Sequence, residues 1–99
     1  MSKQIKVAFN GWNCLLVKHA YRTGGHVALE LVDDTDGESV AMATVNLPEI
    51  TLEPGEVLIK DWSENEGMLK ALSDAGVVED TGRAIRTGFC RANICKLLV

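Results

Sequence analysis

An Asn-Gly pair at positions 10 and 11 follows the alternating apolar residues Ile5, Val7 and Phe9 and precedes an apolar stretch that begins at Trp12. Both central residues of a type I′ turn need positive φ, which Asn and Gly supply at least cost. The pair therefore predicts a two-residue hairpin and commits the amino-terminal half to antiparallel pairing. The return strand, Trp12 to Tyr21, is apolar on both parities through Cys14, Leu15, Leu16 and Val17, as expected of a central strand covered on two sides for part of its length. Thr23-Gly24-Gly25 breaks it, and Val27, Leu29 and Leu31 then alternate with Ala28, Glu30 and Val32, giving one core face and one mixed face. Asp33-Asp34-Thr35-Asp36-Gly37 turns the chain again, with Asp side chains able to bond nearby amides and Gly taking the left-handed position. A fourth strand over residues 40–45 completes a meander, and pattern alone does not assign its inward face.

The regular alternation stops at Pro48. An acidic connection containing Pro54-Gly55 leads to a short strand at Val57-Leu58-Ile59. Ser63-Glu64-Asn65-Glu66 reads as a capping box, in which the Ser63 hydroxyl takes the Glu66 amide and the Glu66 carboxylate returns to the Ser63 amide. With Met68, Leu69, Leu72 and Ala75 at helical spacing and Gly76 at the position of a left-handed cap, this predicts a helix over residues 63–75. Thr81-Gly82 and Thr87-Gly88 predict two further turns, around a short strand near Arg83 to Arg86 and before a closing strand from Phe89 to Leu98. The expected fold is α+β: a mainly antiparallel twisted sheet of five to seven strands with one helix packed on one face, in a single domain spanning residues 1–99.

Composition excludes several function classes. With 46% hydrophobic residues and no apolar run approaching the ~20 residues that cross a bilayer, the chain reads as a globular, non-membrane protein. The charged start Met1 to Lys6 is not followed by the apolar core of a secretory signal, which points to the cytoplasm. Cys14, Cys90 and Cys95 are too few and oddly numbered for a disulfide framework, and the spacing of the last two sends their sulfurs to opposite faces of one strand. Free, buried thiols and no metal are expected. Gly24-Gly25 lacks the phosphate-loop pattern. His19 and His26 flank that turn and are the one place where a ligand site or acid-base chemistry could be built, although no nucleophile accompanies them. The sequence thus carries no catalytic residues and no cofactor motif, and the chain is read as a non-enzyme.

Charge is segregated along the chain. Residues 1–29 and 81–99 contain four basic residues each and no acidic one, whereas residues 30–80 hold all fourteen Asp and Glu carboxylates against Lys60 and Lys70, a net of minus twelve. Acidic and basic strands can neutralise one another across a sheet. Alternatively, the middle forms an exposed acidic face that steers a basic partner and repels nucleic acid. Two clusters would build that face: Asp33, Asp34, Asp36 and Glu38 on the third turn, and Asp61, Glu64 and Glu66 at the helix start. Trp62 and Asn65 beside the second cluster complete the candidate partner-binding residues. Trp12 and Tyr21 could act as stacking platforms for nucleic acid, but basic and aromatic residues are not interleaved as an RNA-binding sheet requires.

The run Asp61 to Leu69, D-W-S-E-N-E-G-M-L, resembles a motif D-[WY]-S-E-N-E-G-M-L in a family of small proteins, a domain of unknown function, found in bacteria, phages and other mobile elements. Ala43 to Pro48, A-T-V-N-L-P, and Thr87 to Phe89, T-G-F, are further points of similarity, so the resemblance spans nearly the whole chain. It implies no activity and transfers no site residue. It does imply an accessory protein of a mobile element: an anti-CRISPR-like inhibitor that binds a basic host protein, such as a nucleic-acid-binding defence protein, in the host cytoplasm. The alternative is an accessory protein acting by homo-oligomerisation, with a homodimer as its simplest form.

Overall fold

The computed structural model describes residues 4–99, so Lys3, counted in the basic amino-terminal run, lies outside it. Its elements run β1 (Lys6–Phe9), β2 (Trp12–Ala20), β3 (Val27–Asp33), β4 (Ser39–Met42), β5 (Glu56–Ile59), a 3-10 turn (Ser63–Asn65), α1 (Met68–Asp74), β6 (Val78–Thr87) and β7 (Cys90–Leu97). The first hairpin forms as its turn residues demand. Asn10 and Gly11 take φ of 50° and 83°, and Phe9 pairs with Trp12.

The strands form two antiparallel sheets, one of order β1-β2-β3-β4 and one of order β5-β7-β6, which corrects the expectation of a single sheet of five to seven strands. The split is made at Ala43. Its N–H still donates to Leu29 of β3 at 2.8 Å, but its carbonyl accepts the N–H of Lys60, beyond β5, at 2.9 Å. Leu29 N–H, deprived of that carbonyl, donates instead to the Thr44 hydroxyl at 3.2 Å, and this hydroxyl also meets Tyr21 Oη at 2.8 Å. One backbone unit thus serves both sheets, and a buried side chain closes the gap, as a buried N–H requires. The bridge Thr44 to Ile59 and the bond from Val45 N–H to the Leu58 carbonyl continue the junction.

The helix is shorter than the capping box predicts. Ser63 has a φ of 55°, accepts no backbone N–H on its hydroxyl and opens a 3-10 turn, while α1 begins only after Gly67, whose φ is 93°. The capping side chain comes from before the turn: Asp61 Oδ1 accepts the N–H of Leu69 at 3.0 Å, placing a carboxylate at the helix amino end. The carboxyl end follows expectation. Gly76 at φ 73° donates to the Ser73 carbonyl and Val77 to that of Leu72, the paired bonds of a Schellman motif, with Leu72 and Val77 both buried.

Thr81-Gly82 is a bulge and not a turn. The pairing of β6 with β7 shifts between Asp80 and Arg83, and the displaced residues are held by the Thr81 hydroxyl on the Ile94 carbonyl at 2.6 Å and by Gly82 N–H on Asp80 Oδ1 at 2.9 Å. One long strand therefore replaces the expected short one. Val7, Phe9, Cys14, Leu29, Leu31 and Ala43 from the first sheet pack in one buried cluster with Val57, Ile59, Val78 and Cys95 from the second and with Met68 and Leu72 of α1. A smaller cluster, Leu58, Ala92 and Ile94, lies under Trp62, Val45, Leu47 and Leu52. No helix among the described residues is long and apolar enough to cross a membrane.

Candidate interaction surface

In a meander, alternate hairpins lie at the same end of the sheet, so the Asn10-Gly11 turn and the Asp33–Gly37 turn are neighbours. Trp12 begins β2 there and is 51% exposed. Together with Asp33, Asp36, Glu38 and Val40 it lines a hollow of about 280 Å³. Trp12 and Val40 also wall a larger cleft of about 440 Å³, completed by Met42, Lys60, Glu64 and Asn65. Asp33, Asp36 and Glu38 of the first acidic cluster and Glu64 of the second, distant in sequence, therefore lie on either side of a shared wall of Trp12 and Val40, to which Met42 adds a thioether side chain that is 38% exposed.

The third turn is shaped by its own carboxylates. Asp33 Oδ1 accepts the Thr35 N–H at 2.7 Å, Asp36 Oδ1 accepts the Glu38 N–H at 2.9 Å, and Asp34 Oδ1 accepts the Thr35 hydroxyl at 3.3 Å. These bonds each use one oxygen and leave the charge in place. Among the described residues no cation pairs with Asp33, Asp34, Asp36 or Glu38. The second sheet behaves differently: Arg83 is paired with Glu56, and Lys96 stands in register between Glu56 and Glu79. Cross-strand neutralisation thus operates in β5-β7-β6, while the acidic turn of the first sheet keeps its field.

At the helix start the predicted residues divide by role. Asn65 is 2% exposed, and its amide donates to the carbonyls of Met42 at 2.6 Å and Lys60 at 3.2 Å, tying β4 to the end of β5 beneath the cleft. Asp61 is engaged at the helix cap, and Trp62 rests half-buried on the Leu58 cluster, its ring 5.9 Å from Lys60 Nζ. Glu64 and Glu66 are exposed. Lys60 bonds Glu64 at 2.6 Å and holds its carboxyl below the usual range. The sequence reading missed Val40 and Met42 and gave Trp12 only a nucleic-acid role. A large aromatic placed directly after a hairpin turn, where a neighbouring strand seldom covers it, is the signal that was present.

Two of the similarity motifs are now explained by folding. In Asp61 to Leu69 the cap, the Trp62 contact, the Asn65 tie, the left-handed Gly67 and the buried Met68 are all structural. In Ala43 to Pro48, Ala43 and Thr44 make the sheet junction, Val45 and Leu47 pack on the second cluster, and Asn46 Nδ2 bonds the Thr23 carbonyl at 3.3 Å. Pro48 meets Gly24 so closely that an added Cβ there would lie 2.8 Å from the proline ring.

The histidines are not set opposite one another. His19 pairs in register with Ala28, and its Nε2 lies 2.9 Å from Glu30 Oε1, whereas the His26 carbonyl accepts the Tyr21 N–H. Hydrogen bonds from Ser39 and then His19 lower the Glu30 pKa. Cys14, Cys90 and Cys95 are free, and burial pushes the Cys14 thiol up and that of Cys95 up to about 12. Among the described residues no group of three or more His, Cys, Asp or Glu side chains is arranged to hold a metal ion. Compared with known proteins, the chain matches no family model, no curated protein and no solved structure.

Proposed function

We propose that this chain is a non-enzymatic binding protein that engages a basic protein surface through the cleft walled by Trp12 and Met42. The observation that carries the reading is the juxtaposition of half-exposed Trp12 with Asp36 and Glu38, which no cation pairs among the described residues, on one side and Glu64, bonded to Lys60, on the other. Aromatic and methionine side chains at the centre of a patch with charges at its edge are the composition of an interaction hot spot. The apolar centre supplies affinity by desolvation, and the acidic edge supplies steering and selects lysine- or arginine-bearing partners.

On the resemblance to mobile-element proteins, the partner is a host defence protein whose nucleic-acid groove presents the complementary charge, and the chain acts as its inhibitor in the host cytoplasm. The basic groove is then covered by a protein surface in place of phosphates. The test is affinity capture from cells that carry nuclease-based immunity, with the wild type beside the variants Asp36→Lys/Glu38→Lys, Glu64→Lys/Glu66→Lys and Trp12→Ala. Binding of the captured protein is then measured across a salt series. Wild-type association slows as salt rises, because exposed charges are screened beyond about 8 Å at physiological ionic strength. Both reversals slow it at low salt, and Trp12→Ala speeds dissociation. A partner held equally well by all three variants overturns the proposal.

A further inference from the structure

The third similarity motif, Thr87-Gly88-Phe89, is the one whose side chain the fold does not use. Thr87 pairs with Cys90, so Gly88, at φ 61°, and Phe89 form a two-residue tip joining β6 to β7, and Phe89 is fully exposed. Directly beneath it Arg86 and Arg91 stand opposite each other in register, an arrangement that disfavours the hairpin that carries it. Both are exposed, and neither is ion-paired among the described residues, whereas Arg83, further down the strand, is engaged by Glu56. A phenyl ring above two unpaired guanidiniums breaks two local rules at once, with no gain to the fold. Such departures mark functional surfaces.

We propose that this tip docks in the acidic Trp12 cleft of a second copy of the chain, an inference that rests on the reading of that cleft as a site for basic partners. The complement is present in the same molecule. The cleft of about 440 Å³ offers Trp12 and Met42 to an aromatic ring, for offset stacking and sulfur contact, and the adjoining hollow of about 280 Å³, across Trp12, offers Asp36 and Glu38 to the two arginines, with Glu64, bonded to Lys60, at the far side of the cleft. Within one copy Phe89 is fully exposed and Trp12 half-exposed, so a chain does not fill its own cleft. Nucleic acid would also accept an arginine pair, but a chain of net charge minus four with an unpaired acidic turn repels a polyanion, while the same acids attract a second tip. The contact joins different patches on the two copies, so it extends head to tail unless a two-fold arrangement satisfies both tips at once. Self-association then hides the cleft, and a basic partner must compete with the tip for it.

The experiment is light scattering after size exclusion, over a range of protein concentrations at low and high salt. Wild type runs above monomer mass at low salt and falls to monomer mass as salt rises. A tip variant, Arg86→Glu/Arg91→Glu, and a cleft variant, Glu38→Lys/Glu64→Lys, are each monomeric, with association weakened about tenfold or more, as loss of paired charges at an interface does. Phe89→Ser is monomeric with its charges intact, and unchanged denaturation midpoints show that all three variants are folded. An equimolar mixture of tip variant with Trp12→Ala, which keeps its tip but lacks the aromatic wall, forms a 1:1 complex, since the intact tip of the Trp12→Ala chain docks in the intact cleft of the tip variant. Wild type that stays monomeric throughout, variants that associate like wild type, or a single-stranded oligonucleotide bound through Phe89 without self-association each overturn the proposal. If the cleft variant loses a captured basic protein while wild type is monomeric, self-association fails and the partner reading stands; if the cleft variant keeps that protein, the partner reading fails as well.

Discussion

Thr44 shows how much of this structure rests on single polar atoms. Its buried hydroxyl serves both Leu29 N–H, inside the core, and Tyr21 Oη, at the core's partly buried edge. Thr44→Val keeps the shape and removes both bonds, and it lowers stability by about 1–3 kcal/mol, read from the urea midpoint. Tyr21→Phe removes one bond and costs about 1 kcal/mol. The same measurement separates the two accounts of the helix start. Asp61→Ala withdraws the carboxylate from Leu69 N–H and costs about 1 kcal/mol, the ordinary value of a capping side chain. Ser63→Ala stays within about 0.5 kcal/mol, because Ser63 is exposed and caps nothing. The S-x-x-E spacing of a capping box is present in the sequence, but Ser63 adopts positive φ, so its side chain is not directed at the amide the box requires. The residues that do the capping and tying, Asp61 and Asn65, were visible in the sequence only as exposed polar candidates, because their partners are supplied by the fold.

At the scale of elements, the first sheet carries a polar line across three strands: His19 on β2, Glu30 on β3 and Ser39 on β4. The bonds from Ser39 and His19 lower the Glu30 pKa in the folded state. The stabilisation is therefore fully present above the ordinary carboxylate pKa and is lost as pH falls through the lowered folded value, when the carboxylate must take up a proton. Glu30→Gln flattens the acid limb of the stability profile, which thermal midpoints recorded from pH 7 down to about pH 3 would show against the ordinary carboxylate pKa near 4.3. If the limbs of wild type and variant coincide, Glu30 is not a source of the pH dependence. Turn positions were legible from Asn10-Gly11, Gly37, Pro54-Gly55 and Thr87-Gly88 because positive φ is a property of one or two residues. Thr81-Gly82 has the same composition yet makes a bulge, since the β7 strand lies alongside and holds the pairing on both sides of it.

For the whole molecule, Cys14 and Cys95 report on whether the two sheets behave as one unit. They sit in different sheets but in the same buried cluster, and burial raises both thiols, that of Cys95 to about 12. At neutral pH neither is ionised to a useful degree, so alkylation of the native protein modifies Cys90, which is only partly buried, and leaves the other two. Under denaturant all three react. In native protein the slow modification of Cys14 and of Cys95 proceeds at a common rate set by global unfolding, measured by mass spectrometry over time. Modification of one well ahead of the other would show that the sheets open separately.

The sequence by itself determined most of the turns, Thr81-Gly82 excepted, which segments are extended, that a helix ends at Gly76, and that the acidic residues are concentrated in the middle. Each of these depends on backbone preferences or side-chain spacing within a few neighbouring residues. Only the tertiary structure decided that the strands of the described residues part into sheets of four and three, because the parting depends on the Ala43 carbonyl choosing Lys60 over Leu29, both of them remote from it along the chain. The same is true of the surface: Asp36 and Glu64 come to flank Trp12 only because β2, the third turn and the 3-10 turn are brought to one end of the first sheet, and contacts between distant segments have no signature in local pattern.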